Sequence, residues 1–222
     1  TWWIAGLRLL RGAPLRLAVV SVLPLFMEAA IQCVPYAGVL LSKVLTPMLG
    51  AGAFVVLDRV QRSEPWRWLD CLAGLSSALR CRTFLACLLM TVVFWFQLAT
   101  VVVVYGQHVF DFVIFRAHVP ELMSMRFVLT LVIPGMLLVA TPLMFTLPLV
   151  VLRGVAPGPA MCRSLKTAWQ QRLPVAAYGL ISCLLIAGGL LLNPLLLLLL
   201  APWLMTSQFA AYQIAFETKK QP

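Results

Sequence analysis

Charge is scarce in this chain. Charged residues make up 11% of its 222 positions, and only 7 are Asp or Glu. A soluble globular domain carries about 25% charged and about 45–50% apolar residues. Here 62% are hydrophobic and the mean hydropathy is +0.98. A water-soluble core cannot hide that excess, so an ordinary soluble domain is excluded and an integral membrane protein is expected. Regular apolar–polar alternation is also missing, which excludes the strands of an outer-membrane barrel. The apolar runs are continuous and rich in Leu, so they are helices. The expected fold class is an all-α integral membrane protein, a single transmembrane bundle over residues 1–222.

Recognisable catalytic chemistry is missing too. There is no Walker-type loop, no GxSxG, no HExxH and no pair of carboxylates within an apolar run. No catalytic residue, metal site or cofactor is therefore assigned, and an enzyme is not expected. The six cysteines (Cys33, Cys71, Cys81, Cys87, Cys162 and Cys183) form no CxxC pair and mostly sit in or beside apolar runs, where they read as packing residues. The two histidines occur as "HVFD" (His108, Asp111) and "HVPE" (His118, Glu121), a generic spacing that Pro120 interrupts. The opening "TWWIAGLRLLRGAP" lacks the basic, apolar and cleavage regions of a signal peptide. It starts at Thr1 rather than Met, which leaves room for residues before it.

What is present is a series of long apolar runs. A span needs about 20 mainly apolar residues, and six stretches qualify: 15–34, 38–57, 83–104, 127–152, 173–192 and 195–216. "PYAG" joins the first two and Asn193-Pro194 the last two, so each pair reads as a tight antiparallel hairpin. The one substantial outer loop is about 105–126. Six spans put both termini on one side. That side carries Arg8, Arg11, Arg16, Arg59, Arg62, Arg67, Arg80, Arg82, Arg153, Arg163, Lys166, Arg172, Lys219 and Lys220, out of 17 bases in all. The other side has only Arg116 and Arg126. The positive-inside rule then places both termini in the cytoplasm. Bases at the edges of apolar runs answer to orientation and anionic headgroups, so the net charge of +10 is not read as nucleic-acid binding.

Three segments on the basic side have the helical period and combine Trp with bases, the signature of amphipathic helices in the membrane interface. The first, "TWWIAGLRLLRGA", sets Trp3, Leu7 and Leu10 against Arg8 and Arg11. The second, "EPWRWLDCLAGLSSALRCR", sets Trp68, Leu69 and Leu72 against Arg67 and Asp70, with Ser63 as an N-terminal stop. The third, "AMCRSLKTAWQQR", sets Leu165 and Trp169 against Arg163 and Lys166. The expected interface anchors are Trp2, Trp3, Arg8, Arg11, Trp66, Trp68 and Trp169. "GLRLLRGAPLRLAVV" from Gly6 aligns with "GLSSALRCRTFLACL" from Gly74, and loosely with "SLKTAWQQRLPVAAY" from Ser164. Three copies of a surface helix–span–span unit are a possible reading of this pattern.

Glu28 and Lys43 are the acid and base inside the first hairpin. Glu28 lies seven residues before Pro35 and Lys43 five after Gly38, so at 1.5 Å per residue both sit on the order of 10 Å or less below the turn. A lone charge at the membrane centre costs at least about 2.5–3.5 kcal/mol. Three readings stay open: a structural ion pair, a snorkelling Lys43 beside a protonated Glu28, or a proton- or ion-coupling site. Pro47, Pro134 and Pro142 are expected helix kinks, with Pro24 and Pro148 adding to them. Small residues at four-residue spacing (Ser42, Thr46, Gly50; Gly179, Cys183, Ala187) suit close helix approach. Gln97 and Gln208 can hydrogen-bond across the bundle.

The stretch from "GLRLLRGAPLRL" to "VPYAGVLLSKVLTPMLGAGAFVVLDRVQRSEP" resembles a family of uncharacterised proteobacterial six-helix inner-membrane proteins. Pro14, Pro35 with Gly38, Pro47 with Gly52 (one residue further than the family spacing) and Glu64-Pro65 carry the resemblance, over about the first 80 residues. It implies a bacterial inner-membrane location and transfers no functional residue. The functional expectation is a non-catalytic accessory or scaffold subunit that associates with membrane lipids, including anionic headgroups, and with a membrane-protein partner. A small transporter or channel using the Pro-broken helices and the Glu28–Lys43 pair is the alternative.

Overall fold

A computed structural model of the chain describes residues 1–34, 37–76, 79–107, 109–110, 114, 125–193 and 195–216. These are helical, with no strand among the described residues. In chain order the elements are α1 (Trp2–Gly12), α2 (Pro14–Gln32), α3 (Gly38–Gln61), a 3-10 segment (Trp68–Leu75), α4 (Arg80–Met90) and α5 (Val92–Tyr105). Then come α6 (Met125–Pro134), a π-helical turn (Gly135–Ala140), the short α7 (Thr141–Leu143), α8 (Thr146–Arg153), α9 (Pro157–Gln170), α10 (Arg172–Leu192) and α11 (Leu196–Phe216).

Among the described residues, five helices are long and apolar enough to cross a membrane: Pro14–Gln32, Gly38–Gln61, Arg80–Tyr105, Val132–Arg153 and Arg172–Leu192. They overlap the first five expected spans. The sixth, 195–216, forms α11 but is not among the five; after its Leu run, Pro202, Trp203, Gln208, Tyr212 and Gln213 dilute the hydropathy. The third and fourth are not single smooth helices. Thr91 separates α4 from α5, with its hydroxyl bonded to the Leu88 carbonyl. Pro134 ends α6, the π turn follows directly, and the chain breaks again at 144–145, just beyond Pro142. A proline removes a backbone donor and clashes with the preceding turn, so wider or broken turns collect around it. Pro47 is tolerated within α3.

The three amphipathic segments do more than coat a surface. Each lies against a long helix, α1 on α11, the 3-10 segment on α3 and α9 on the Val132–Arg153 helix, and each touches it with a small residue. Gly6 of α1 meets α11 so closely that a Cβ would stand 2.5 Å from the Ser207 backbone nitrogen, and the Trp3 carbonyl accepts from Trp203 Nε1. In the 3-10 segment, a Cβ on Gly74 would overlap the Met48 carbonyl of α3, and one on Gly52 of α3 would overlap the carbonyl of Cys71. Ser164 of α9 is fully buried; its hydroxyl donates to the Pro142 carbonyl at 2.7 Å and accepts from the Phe145 N–H at 3.2 Å. Gly6, Gly74 and Ser164 are the residues that head the three aligned stretches. The main core lies among these contacts, with Leu17, Phe54, Leu57, Phe145, Leu149, Phe209 and Tyr212 buried together.

The second segment differs from expectation. Ser63 does not start a helix: it takes a left-handed conformation (φ 56°), residues 64–67 are irregular, and the helical turn begins at Trp68. Asp70 starts it by accepting the Arg67 N–H at 2.7 Å while pairing with Arg59 at 2.6 Å. The segment is 3-10 rather than α-helical, which suits a short piece held against a neighbour.

Gly52→Val should push the 3-10 segment off α3 and lower the thermal unfolding midpoint in detergent, at a cost of at least about 1–3 kcal/mol. Gly158→Ala, where a Cβ meets nothing within 4 Å, should leave the midpoint unchanged or raise it. Equal midpoints for the two variants would show that the close approach is dispensable.

Candidate functional site

The Glu28–Lys43 pair forms. Lys43 Nζ lies 2.5 Å from Glu28 Oε1 across the α2–α3 hairpin. Gln32, one turn after Glu28 on the same face, donates its amide to that oxygen at 3.0 Å and to Ser42 Oγ at 3.3 Å. The Ser42 hydroxyl donates to the Val39 carbonyl at 2.7 Å, and the Phe94 ring centroid lies 5.6 Å from the ammonium. The lysine and glutamate side chains are 28% and 23% exposed, so each charge is held mainly by the other. The network runs from a cation through a carboxylate and an amide to a hydroxyl and a backbone carbonyl. Among the described residues it reaches no second ionisable acid.

The basic end of the bundle is tied together by arginines. Arg82 donates to the Gly154 carbonyl and Arg153 to the Phe216 carbonyl, each at 2.9 Å, and Arg153 lies over the Tyr212 and Phe216 rings. Gly154 closes α8 in the left-handed conformation (φ 62°), where glycine carries no steric penalty. Of the expected interface anchors, Arg8, Arg11, Trp68 and Trp169 are exposed. Trp66 is half-buried, with Trp68 edge-on at 5.0 Å. The remaining two face the bundle: Trp2 is buried beside Phe145 and Tyr178, and Trp3 stacks on Tyr178 at 4.8 Å. One helical face of α1 was expected to meet lipid; the close approach at Gly6 turns it onto the protein.

Between the long helices lies a cavity of about 410 Å³. Its walls include Ser21 and Pro24 of α2, Thr46, Pro47 and Gly50 of α3, Thr141 of α7, Tyr178 and Ser182 of α10, and Gln208 of α11. No Asp, Glu, Lys, Arg or His lines it among the described residues, and neither Glu28 nor Lys43 does. Thr141 Oγ1 donates to the Met136 carbonyl, the Gln208 amide to the Met144 carbonyl and Tyr178 Oη to the Leu204 carbonyl. The hydroxyls of Ser21 and Thr46 are buried with no hydrogen-bond partner among the described residues. Gln208 thus bonds across the bundle as expected, while Gln97 packs over Gly135. Reasoning on the sequence did not gather this site. Its signal was there in Thr46-Pro47, Thr141-Pro142 and Ala201-Pro202, in α3, α7 and α11. Gln32 carried a signal too, four residues after Glu28.

Of the two expected small-residue stripes, the one on α10 packs within the chain: a Cβ on Gly179 would stand 2.6 Å from Thr141 Oγ1, and Cys183 and Ala187 pack on Val132. On α3, Ser42 is buried, but Thr46 and Gly50 line the cavity and a Cβ on Gly50 would meet nothing within 4 Å. Cys33, Cys81 and Cys162 are exposed, and Cys71, Cys87 and Cys183 buried. Burial pushes the Cys71 thiol above its ordinary range, and the adjacent Asp70 carboxylate pushes the same way, so it is a poor nucleophile. His108, Asp111, His118 and Glu121 lie outside the described residues, as do Pro35 and Tyr36 of the first hairpin turn. No family model matches the chain, and no curated protein or solved structure does either.

Removing one charge of the Glu28–Lys43 pair leaves the other uncompensated. Glu28→Gln and Lys43→Met should each destabilise by about 1–3 kcal/mol, less than a fully buried pair because both partners are partly exposed. The double variant should recover most of the loss, read from denaturant unfolding of the four proteins in detergent. Losses that simply add would show that the two side chains are not coupled.

Proposed function

We propose that this chain is a non-catalytic multi-pass protein of the bacterial inner membrane, an accessory or scaffold subunit that packs on partner membrane proteins and lipids. The observation that carries this reading is the mismatch between hydropathy and burial in its outer helices. Pro14–Gln32 and Arg80–Tyr105 have mean hydropathies of 1.7 and 2.4, yet only 22% and 17% of their most apolar windows are buried within the chain. Phe26, Trp95 and Val103 stand exposed on them. So much uncovered apolar surface needs lipid or another apolar protein against it.

In this reading α11 is the sixth crossing. It has 21 residues and no Asp, Glu, Lys or Arg, and at 1.5 Å per residue it reaches about 30 Å. The shared contacts at Gly6, Gly74 and Ser164 support three surface helix–span–span units closed into a ring, the first segment resting on the last helix. The resemblance to proteobacterial inner-membrane proteins fits the same picture, and the distribution of bases favours cytoplasmic termini. The Glu28–Lys43 pair then fixes the rotation of α2 against α3.

A transporter or channel is the second reading, and the cavity favours it. Proline-broken helices around a cavity are how many transporters build a site. Lying outside the cavity walls, the ion pair would not be its coupling group, so transport of a neutral molecule is the form this reading takes.

Affinity purification from native membranes in mild detergent, with mass spectrometry of what travels along, should return a stoichiometric membrane protein. A chain carrying only lipid would sink the accessory reading. The native thiols test orientation. In single-cysteine variants on spheroplasts, a membrane-impermeant maleimide should label Cys33 from outside, and Cys81 and Cys162 only after the membrane is opened. The opposite pattern would reverse the topology.

A further inference from the structure

A second groove, of about 690 Å³, opens where α9 meets α10 and the π turn. Its apolar floor includes Leu138, Val175 and Ala176, and Lys166, Trp169 and Arg172 stand on its rim. Leu138 is 68% and Trp169 78% exposed, so leucine, tryptophan and two bases share one open surface. Such a surface suits the boundary between acyl chains and headgroups. Both bases are exposed, and neither makes an ion pair or hydrogen bond among the described residues. By contrast, Arg59, Arg82 and Arg153 are each committed to an internal partner.

We propose that this groove binds one phospholipid with an anionic headgroup, its phosphate between Lys166 and Arg172 and an acyl chain over Leu138 and Val175. The proposal deepens the membrane reading above and rests on its orientation, in which the basic end faces the leaflet that holds anionic lipid. Charge complementarity selects the headgroup: two cations without acids suit a net-negative lipid better than a zwitterionic one, whose own ammonium they repel. Apolar floor beside the cations selects a lipid over a free anion, because a soluble phosphate would leave Leu138 uncovered. Basic pockets between helices on this side of a membrane are known to take such headgroups.

The test reconstitutes the full chain in phosphatidylcholine vesicles containing a minor fraction of phosphatidylglycerol, extracts it in mild detergent and counts retained lipids by native mass spectrometry. The chain should hold a single phosphatidylglycerol in preference to phosphatidylcholine. Lys166→Gln with Arg172→Gln should cut retention by about thirtyfold, from the loss of two bases near an anionic group. Swapping the same positions to Arg and Lys should preserve it, and Ala176→Trp, which fills the floor without changing charge, should release the lipid. Arg163→Gln, on the same helix but outside the groove, is the control for diffuse attraction. Unchanged retention in the Gln double variant, or an equal fall with Arg163→Gln, would overturn the proposal. So would displacement by glycerol phosphate together with indifference to Ala176→Trp, since that describes a soluble-anion site. Failure of these arms with the thiol pattern intact removes the groove alone, whereas a reversed thiol pattern removes the orientation on which it rests.

Discussion

Helices that meet lipid cannot draw on the hydrophobic effect to find one another, because acyl chains are as apolar as leucine. They associate through van der Waals contact, and small residues set how close that contact becomes. In this chain the constraint is met at Gly6 on Ser207, at Gly52 and Gly74 between α3 and the 3-10 segment, and at Ser164 on Pro142 and Phe145. Each brings a short amphipathic segment onto a long helix. The aromatic cluster around Tyr178 depends on α1 being seated, since Trp2 and Trp3 supply two of its rings.

Ion pairing plays a narrower part. Glu28 and Lys43 pair with each other, and Gln32 donates to the same carboxylate oxygen and to Ser42. A pair of this kind adds little net stability, since desolvation offsets most of the attraction. Its value lies in exclusivity: a rotation of α3 that parted the two would strand both charges in apolar surroundings. Proline acts in the opposite sense in the fourth long helix, where the backbone changes at Pro134 and breaks just beyond Pro142, while Pro47 lines the cavity from an unbroken α3.

Much of this was legible in the sequence, and the exceptions share a cause. Continuous apolar runs gave five of the long helices, and the lone acid and base in one hairpin gave the ion pair. The alignment of Gly6, Gly74 and Ser164 marked the three docking points, though composition alone suggested that the segments lay on a surface. Helical period reports that a segment has an apolar face and not whether lipid or protein covers it. Trp2 and Trp3 were read as interface residues for that reason, yet they pack on Phe145 and Tyr178. The cavity was hidden differently: its hydroxyls come from helices far apart in the chain, nothing local distinguishes Ser21 from an ordinary packing residue, and Thr46-Pro47 becomes a signal only beside Thr141-Pro142 and Ala201-Pro202.

The seat of α1 on α11 has a consequence for biosynthesis. The Trp203 indole reaches a carbonyl 200 residues earlier in the chain. During synthesis α1 precedes α11, and the surface that covers Trp3 and Gly6 comes only with α11. Until then its apolar face has no native partner, and contacts that close so large a loop form slowly. The order of translation therefore leaves the fold open at one seam until α11 arrives, and a nascent chain halted before Ser207 would present that seam to whatever chaperone or neighbouring membrane protein is at hand.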